Sequence, residues 1–105
     1  MPLAVLSVIA PAAFAGSVIG TVADVQVRAS DGLTYVTING TASGKPACAT
    51  HDYWIILNEN SAAGSRQFAQ LLAAKASGQS VTITGANTCT RWPDGEDINA
   101  VDFTG

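Results

Sequence analysis

Tyr53-Trp54-Ile55-Ile56-Leu57-Asn58-Glu59-Asn60-Ser61, followed by a helical segment ending at Ser77-Gly78 and then by Val81-Thr82-Ile83-Thr84, is the stretch that decides the fold. The apolar run 53–57 is short enough for a strand and too continuous to leave one face solvated, so it belongs in a core. Asn58 to Ser61 supply side chains that accept from the free N–H groups at a helix start. Beyond them Phe68, Leu71, Leu72 and Ala76 fall at i, i+3, i+4 and i+8, the spacing of one helix face. Arg66, Gln67, Gln70 and Lys75 form the expected polar face. Ala62, Ala63, Ala69, Ala73 and Ala74 give the helix a small-residue surface that a second copy of the chain can approach closely. Gly78 suits the left-handed position after a helix end, and the β-branched run 81–84 reads as the next strand.

Working outward, Val18 to Arg28 carries apolar residues that alternate only in pieces (Val18, Thr21, Val22, Val25, Val27), a strand reading. Ser30-Asp31-Gly32 is a turn, and Leu33 to Ile38 returns as the second arm of a hairpin before the loop 39–46 breaks it. On the far side, a polar loop from Gly85 to Asp97 contains Cys89, Arg91, Trp92 and three carboxylates. Ile98, Ala100, Val101 and Phe103 then make a final strand. The chain is therefore mainly β with one helix, in the order β-β-β-α-β-β. Five strands with a single helix between the third and fourth is the order of the OB-fold, a five-stranded, partly open barrel whose helix plugs one end. Internal repeats and linkers are absent, so residues 16–105 read as a single domain.

Composition narrows the function. The 105 residues are 48% hydrophobic and 12% charged, with five Lys and Arg against eight Asp and Glu. Half the usual charge with a normal apolar fraction argues against disorder. A net charge of −3 with scattered cations argues against the basic groove that single-stranded nucleic acid needs. No apolar run reaches the eighteen or so residues that cross a bilayer. Leu3 to Ala10 is instead a short apolar block followed by Ala13-Phe14-Ala15, a small-x-small cleavage pattern, although no Lys or Arg precedes the block. Residues 1–15 read as an export signal, Gly16 as the first residue after cleavage, and the compartment as secreted or periplasmic. Two cysteines suit that compartment, and Cys48 and Cys89 are the only intramolecular pair available. Closing about 40 residues is worth roughly 4 kcal/mol in the chain-entropy model.

Few residues carry chemistry. His51 titrates near neutrality, but neighbouring strand residues point to opposite faces, so Asp52 is poorly placed to pair with it, and no nucleophile motif accompanies them. His51 therefore reads as a surface residue at the start of a strand. Asp94, Glu96 and Asp97 fit no calcium loop, which needs alternate oxygen ligands and a closing Glu twelve residues from its start. They read as a solvated turn, and a small secreted hydrolase built on them is the third of three functional readings. No cofactor or metal site is expected. Trp92 beside Arg91 is the feature suited to binding, because indole stacks on the apolar face of a sugar while Arg hydrogen-bonds its oxygens; Tyr35 is a third contact. Trp92 has a structural alternative as a cover for Cys89, three residues away, whereas Trp54 is core.

Pro46-Ala47-Cys48-Ala49, Trp54, the helix with Phe68, Leu71 and Leu72, and Ala76-Ser77-Gly78-Gln79-Ser80-Val81-Thr82-Ile83 together resemble the small secreted OB-fold proteins related to the receptor-binding B subunit of subtilase-type cytotoxins. The stretch Cys89-Thr90-Arg91-Trp92-Pro93-Asp94-Gly95-Glu96-Asp97-Ile98 is more similar to the stand-alone bacterial members. The resemblance implies a non-enzymatic domain that recognises a glycan or an extracellular protein, assembled as a pentamer with its helices lining the centre. It aligns the family's glycan-contacting serine with Ser17 and puts Gly85 where the family has a sugar-binding tyrosine. Thr37 stands near the place of a family cysteine. The second functional reading is a periplasmic structural or inhibitor-like oligomer with no small ligand.

Overall fold

A computed structural model describes residues 15–104 of the chain. The expected export signal, residues 1–15, lies outside the described residues but for Ala15. The elements are β1 (Ser17–Val27), β2 (Thr34–Asn39), β3 (Trp54–Ile56), α1 (Ala62–Ser77), β4 (Ser80–Gly85) and β5 (Glu96–Phe103), in the expected chain order. Around the sheet the order differs: β1-β2-β3-β5-β4, with β4 returning to β1. The sheet closes on itself where a partly open one was expected. β3 pairs with β5 in parallel through Trp54, Ile55 and Ile56, and the other ladders are antiparallel.

Two register shifts explain apolar patterns that alternation alone does not. In β1 the pairing with β2 skips between Val22 and Asp24, so Val18 and Val22 face inward on one phase and Val25 packs inward on the other. In β5 the shift opposite Thr84 and Gly85 lets Ile98 and Val101, three residues apart, both reach the core. That core joins Val18, Val22, Val36, Trp54, Val81 and Ile83 to Leu71 and Ala74 of the helix.

The helix starts at Ser61, whose Oγ accepts from the Gly64 N–H at 2.9 Å, satisfying one of the free donors of the first turn. It stops at Gly78, left-handed, whose N–H donates to the Ala74 carbonyl. Its inward stripe differs from the expected one. Gly64, Leu71 and Ala74 are buried and Phe68 half-buried against the core, whereas Leu72 and Ala76 are exposed and Ala74 is lost from the expected outer surface. Two expected solvent-facing residues instead tie the helix to the last strand: Gln67 Nε2 donates to the Asn99 carbonyl and Gln70 Nε2 to that of Val101, at 3.0 and 3.1 Å. Cys48 and Cys89 form the expected disulfide, with 6.2 Å between their Cα atoms.

Candidate functional site

The hairpin end of β1 and β2, the start of β3 and the loop before β5 meet at one end of the sheet and gather Tyr35, Tyr53, His51 and Trp92. The β2–β3 ladder sets Tyr35 opposite Ile55, one residue beyond Trp54, and so brings Tyr53 against it. The Tyr35 and Tyr53 rings meet edge to face at 5.4 Å, and His51 stacks on the other side of Tyr53 at 5.3 Å. Such pairs add to simple burial because the positive ring edge meets the negative face. The Tyr35 hydroxyl donates to Gln26 Oε1 at 2.5 Å, and the Tyr53 hydroxyl donates to Asp94. Asp94 also lies 3.3 Å from His51 Nδ1 and accepts the His51 backbone N–H on its own carbonyl. The histidine's acidic partner is thus Asp94, from a loop remote in sequence. Burial, then the hydrogen bond to Asp94, pushes the Tyr53 hydroxyl up to about 12.

Trp92 is half-buried beside Tyr53 and carries the Arg28 guanidinium 4.4 Å over its ring. One indole face is therefore taken by a cation–π contact. Arg28 is itself held by Asp31, whose carboxyl the Arg28 hydrogen bond and then the Leu33 N–H pull down to about 2. Arg91 is bound to other partners. Its Nε and Nη2 donate to the two oxygens of Glu59 at 3.2 and 2.9 Å, and Nη2 also reaches the Asp31 carbonyl at 3.0 Å. That fork clamps the β1–β2 turn, the β3–α1 loop and the loop before β5 together. The same hydrogen bond lowers the Glu59 pKa and raises that of Arg91.

Of the four residues singled out from sequence, Trp92, Tyr35 and Arg91 come to this end, with Arg91 bound into its frame. Ser17 does not: it begins β1, paired with Thr84 and bridged to Ser43, nine residues before Gln26, or about 30 Å along the strand. Tyr53, His51, Asp94 and Arg28 were missed as a group. His51 and Asp94 stand out in the sequence one at a time, but no spacing joins them to Tyr53 or Arg28.

The loop carboxylates require a correction. Glu96 and Asp97 are fully buried on β5 and are not part of a solvated turn. Asp97 organises the loop before it, accepting from the Thr88 and Thr90 hydroxyls at 2.6 and 2.7 Å and from the Thr90 and Arg91 backbone N–H groups. Glu96 Oε2 accepts from the Gly16 and Asn87 backbone N–H groups, both at 3.0 Å. With Asp94 on Tyr53 and His51, the three carboxylates answer to three separate partner sets and do not converge on one cleft. Gly85 is bare for the same reason, because a Cβ there would overlap the Glu96 carboxyl group and stand 2.9 Å from its Cγ. The position that the resemblance equates with a sugar-binding tyrosine thus holds no side chain while Glu96 occupies that space.

A concavity lies away from the aromatic cluster, at the helix start, a hollow of about 180 Å³ lined among others by Leu57, Asn58, Gly64, Gln67, Ile98 and Asn99. It is smaller than the roughly 300 Å³ at which small-molecule pockets begin. Among the described residues no group of three or more His, Cys, Asp or Glu stands together as a metal site. No helix among them is long and apolar enough to cross a membrane. No family model matches the chain, and no curated protein or solved structure is significantly similar to it.

Proposed function

We propose that this chain is an exported, non-enzymatic binding module of OB-fold type, resembling a toxin B subunit, which recognises a glycan or another extracellular surface partner through its aromatic end. The observation that carries the reading is the convergence of Tyr35, Tyr53, His51 and Trp92 with Arg28 and Asp94 on one surface assembled from separate loops. Aromatic faces flanked by fixed donors and acceptors suit the alternating apolar and hydroxylated surfaces of a sugar. The five-stranded closure β1-β2-β3-β5-β4 with one helix between β3 and β4 supports the OB-fold type. The disulfide supports a secreted or periplasmic setting. Arg91 acts here as a positioning residue, and Trp92, Tyr53 and His51 meet the ligand.

A glycan array probed with the oxidised domain tests the reading, with oligomeric mass measured on the same sample. A defined set of bound glycans is expected, and Trp92→Ala should weaken their binding at least about tenfold, the effect of one aromatic anchor. Its melting temperature should stay nearly unchanged. No glycan bound, or Trp92→Ala binding as well as wild type, overturns the glycan reading. One observation favours the alternative of a periplasmic structural or protein-interaction oligomer: the outer helix face exposes Leu72, 45% accessible, among Ala69, Ala73 and Ala76. Light scattering tests this alternative, since a monomer at micromolar concentration excludes a ring.

A further inference from the structure

Glu96 is the least compensated group among the described residues. Its side chain is fully buried, Oε2 takes two neutral backbone N–H groups, and Oε1 has no hydrogen-bond partner. A buried carboxylate normally carries a partner of opposite charge, because desolvation costs several kcal/mol per ion. Lys45 is the cation whose charge Glu96 feels, but its ammonium is turned elsewhere, donating to the His51 and Tyr53 carbonyls at 3.0 and 3.2 Å and lying 4.2 Å over the Trp54 ring. Asp97, next along the strand, spends both its oxygens on the preceding loop. Among the described residues Glu96 has no ion pair.

Of its two backbone donors, each 3.0 Å from Oε2, the nitrogen of Gly16 is the one that chain cleavage can turn into a cation. Gly16 is held there by its own carbonyl, which accepts from the Gly85 N–H at 2.8 Å, and by the Ser17–Ser43 bridge. Its missing side chain is what permits the approach, since a Cβ would overlap Oε1 and lie 2.7 Å from Lys45 Cγ. Gly16 is also the residue that follows the small-x-small pattern Ala13-Phe14-Ala15.

We propose that the chain is cleaved between Ala15 and Gly16 and that the α-ammonium so released is the counter-ion of Glu96. An export peptidase adds water across the peptide bond: the oxygen goes to the Ala15 carbonyl carbon, leaving a carboxylate, and the protons go to the Gly16 nitrogen. One N–H becomes three charged donors, enough to keep Oε2 and to satisfy Oε1. Cleavage precedes folding, so burial of Gly16 in the finished domain does not block it. Processing thereby supplies an internal ion pair that the uncleaved chain lacks, whatever the domain binds.

The full 105-residue chain is expressed in a bacterial host with an export pathway, and the exported product's N-terminus is read by mass spectrometry; Gly16 is expected, and any other first residue overturns the proposal. The Gly16 α-amine of the native product should then react with an amine-selective acylating reagent at least about tenfold more slowly than in denaturant, the protection expected of a buried, paired group. Equal rates overturn the pairing. Acylating the amines in denaturant and refolding should lower the denaturant midpoint of the wild type more than that of Glu96→Gln, because the losses at Lys45 and Lys75 are common to both. An equal loss in both also overturns it. The reactivity measurement needs only the wild type, so the proposal remains decidable if Glu96→Gln does not fold.

Discussion

Gly85→Ala adds a single methyl group, and the structure says where it goes. The new Cβ falls on the Glu96 carboxyl group and 2.9 Å from Cγ. Glu96 has nowhere to retreat, since it is fully buried with Oε2 held by Gly16 and Asn87. Overpacking of this kind costs about 1–3 kcal/mol. If the carboxylate swings off its two donors, each buried N–H left unpaired adds a further cost of about 1–3 kcal/mol. With both donors lost the total is about 3–9 kcal/mol, which at roughly 4–8 °C per kcal/mol for a domain of this size lowers the melting temperature by about 10 °C or more. The assay is a double-mutant cycle with Glu96→Ala, followed by thermal and urea unfolding. Glu96→Ala is itself destabilising, because it orphans the same two N–H groups, but it also empties the space that the added methyl at position 85 needs. The double variant should be more stable than the sum of the singles by at least about 1 kcal/mol. A Gly85→Ala cost below about 0.5 kcal/mol, or an additive cycle, would refute the view that Glu96 and a side chain at position 85 compete for one space.

Replacing Cys48 and Cys89 by serine should lower the unfolding free energy by about 4 kcal/mol, the value for closing a loop of this length; urea titration measures it, and a loss under about 1 kcal/mol would mean the unfolded chain is already restrained there. Of the two tyrosines, Tyr53 should ionise near pH 12, seen as a late step in ultraviolet absorbance, and Asp94→Asn should bring that step down. A folded pKa raised above its unfolded value gives stability complete below about pH 10 and lost as pH climbs toward 12, so unfolding in alkali should follow the same step. The opposite sign applies to Asp31, held near 2 chiefly by Arg28: its contribution is present above about pH 4 and lost as pH falls toward 2. Asp31→Asn should therefore flatten the acid limb of a plot of urea midpoint against pH, and an unchanged limb would remove Arg28–Asp31 as its source.

Much of the fold was legible because its signals are local. A strand, a capped helix and a turn each declare themselves through residues a few positions apart: the β-branched run 81–84, Ser61 three residues before the N–H it caps, and Gly78 past the last turn. The disulfide followed from counting, since two cysteines allow one pair. Periodicity failed where the backbone broke it. The shifts in β1 and β5 moved apolar residues between faces, and the helix turned Gln67 and Gln70 toward β5 in place of Leu72 and Ala76, because carbonyls on that strand offered them acceptors.

The sequence alone determined the mainly β class, the single helix, the order of elements, the cross-link and the acidic, cation-poor composition, all properties of residue content and short-range spacing. Only the tertiary structure decided what the charged and aromatic residues do. Glu96 and Asp97 look like turn residues beside Pro93 and Gly95, yet both are buried, because their donors arrive from elsewhere: Gly16 from 80 residues away, and Thr88, Thr90 and Arg91 through a loop folded back on the strand. Tyr53 meets Asp94 across 41 residues, and Arg91 meets Glu59 across 32. A charge is stable inside a protein only when partners surround it, and a binding surface exists only when separate loops converge; both are set by closure of the sheet and cannot be read from residues that are neighbours in the chain.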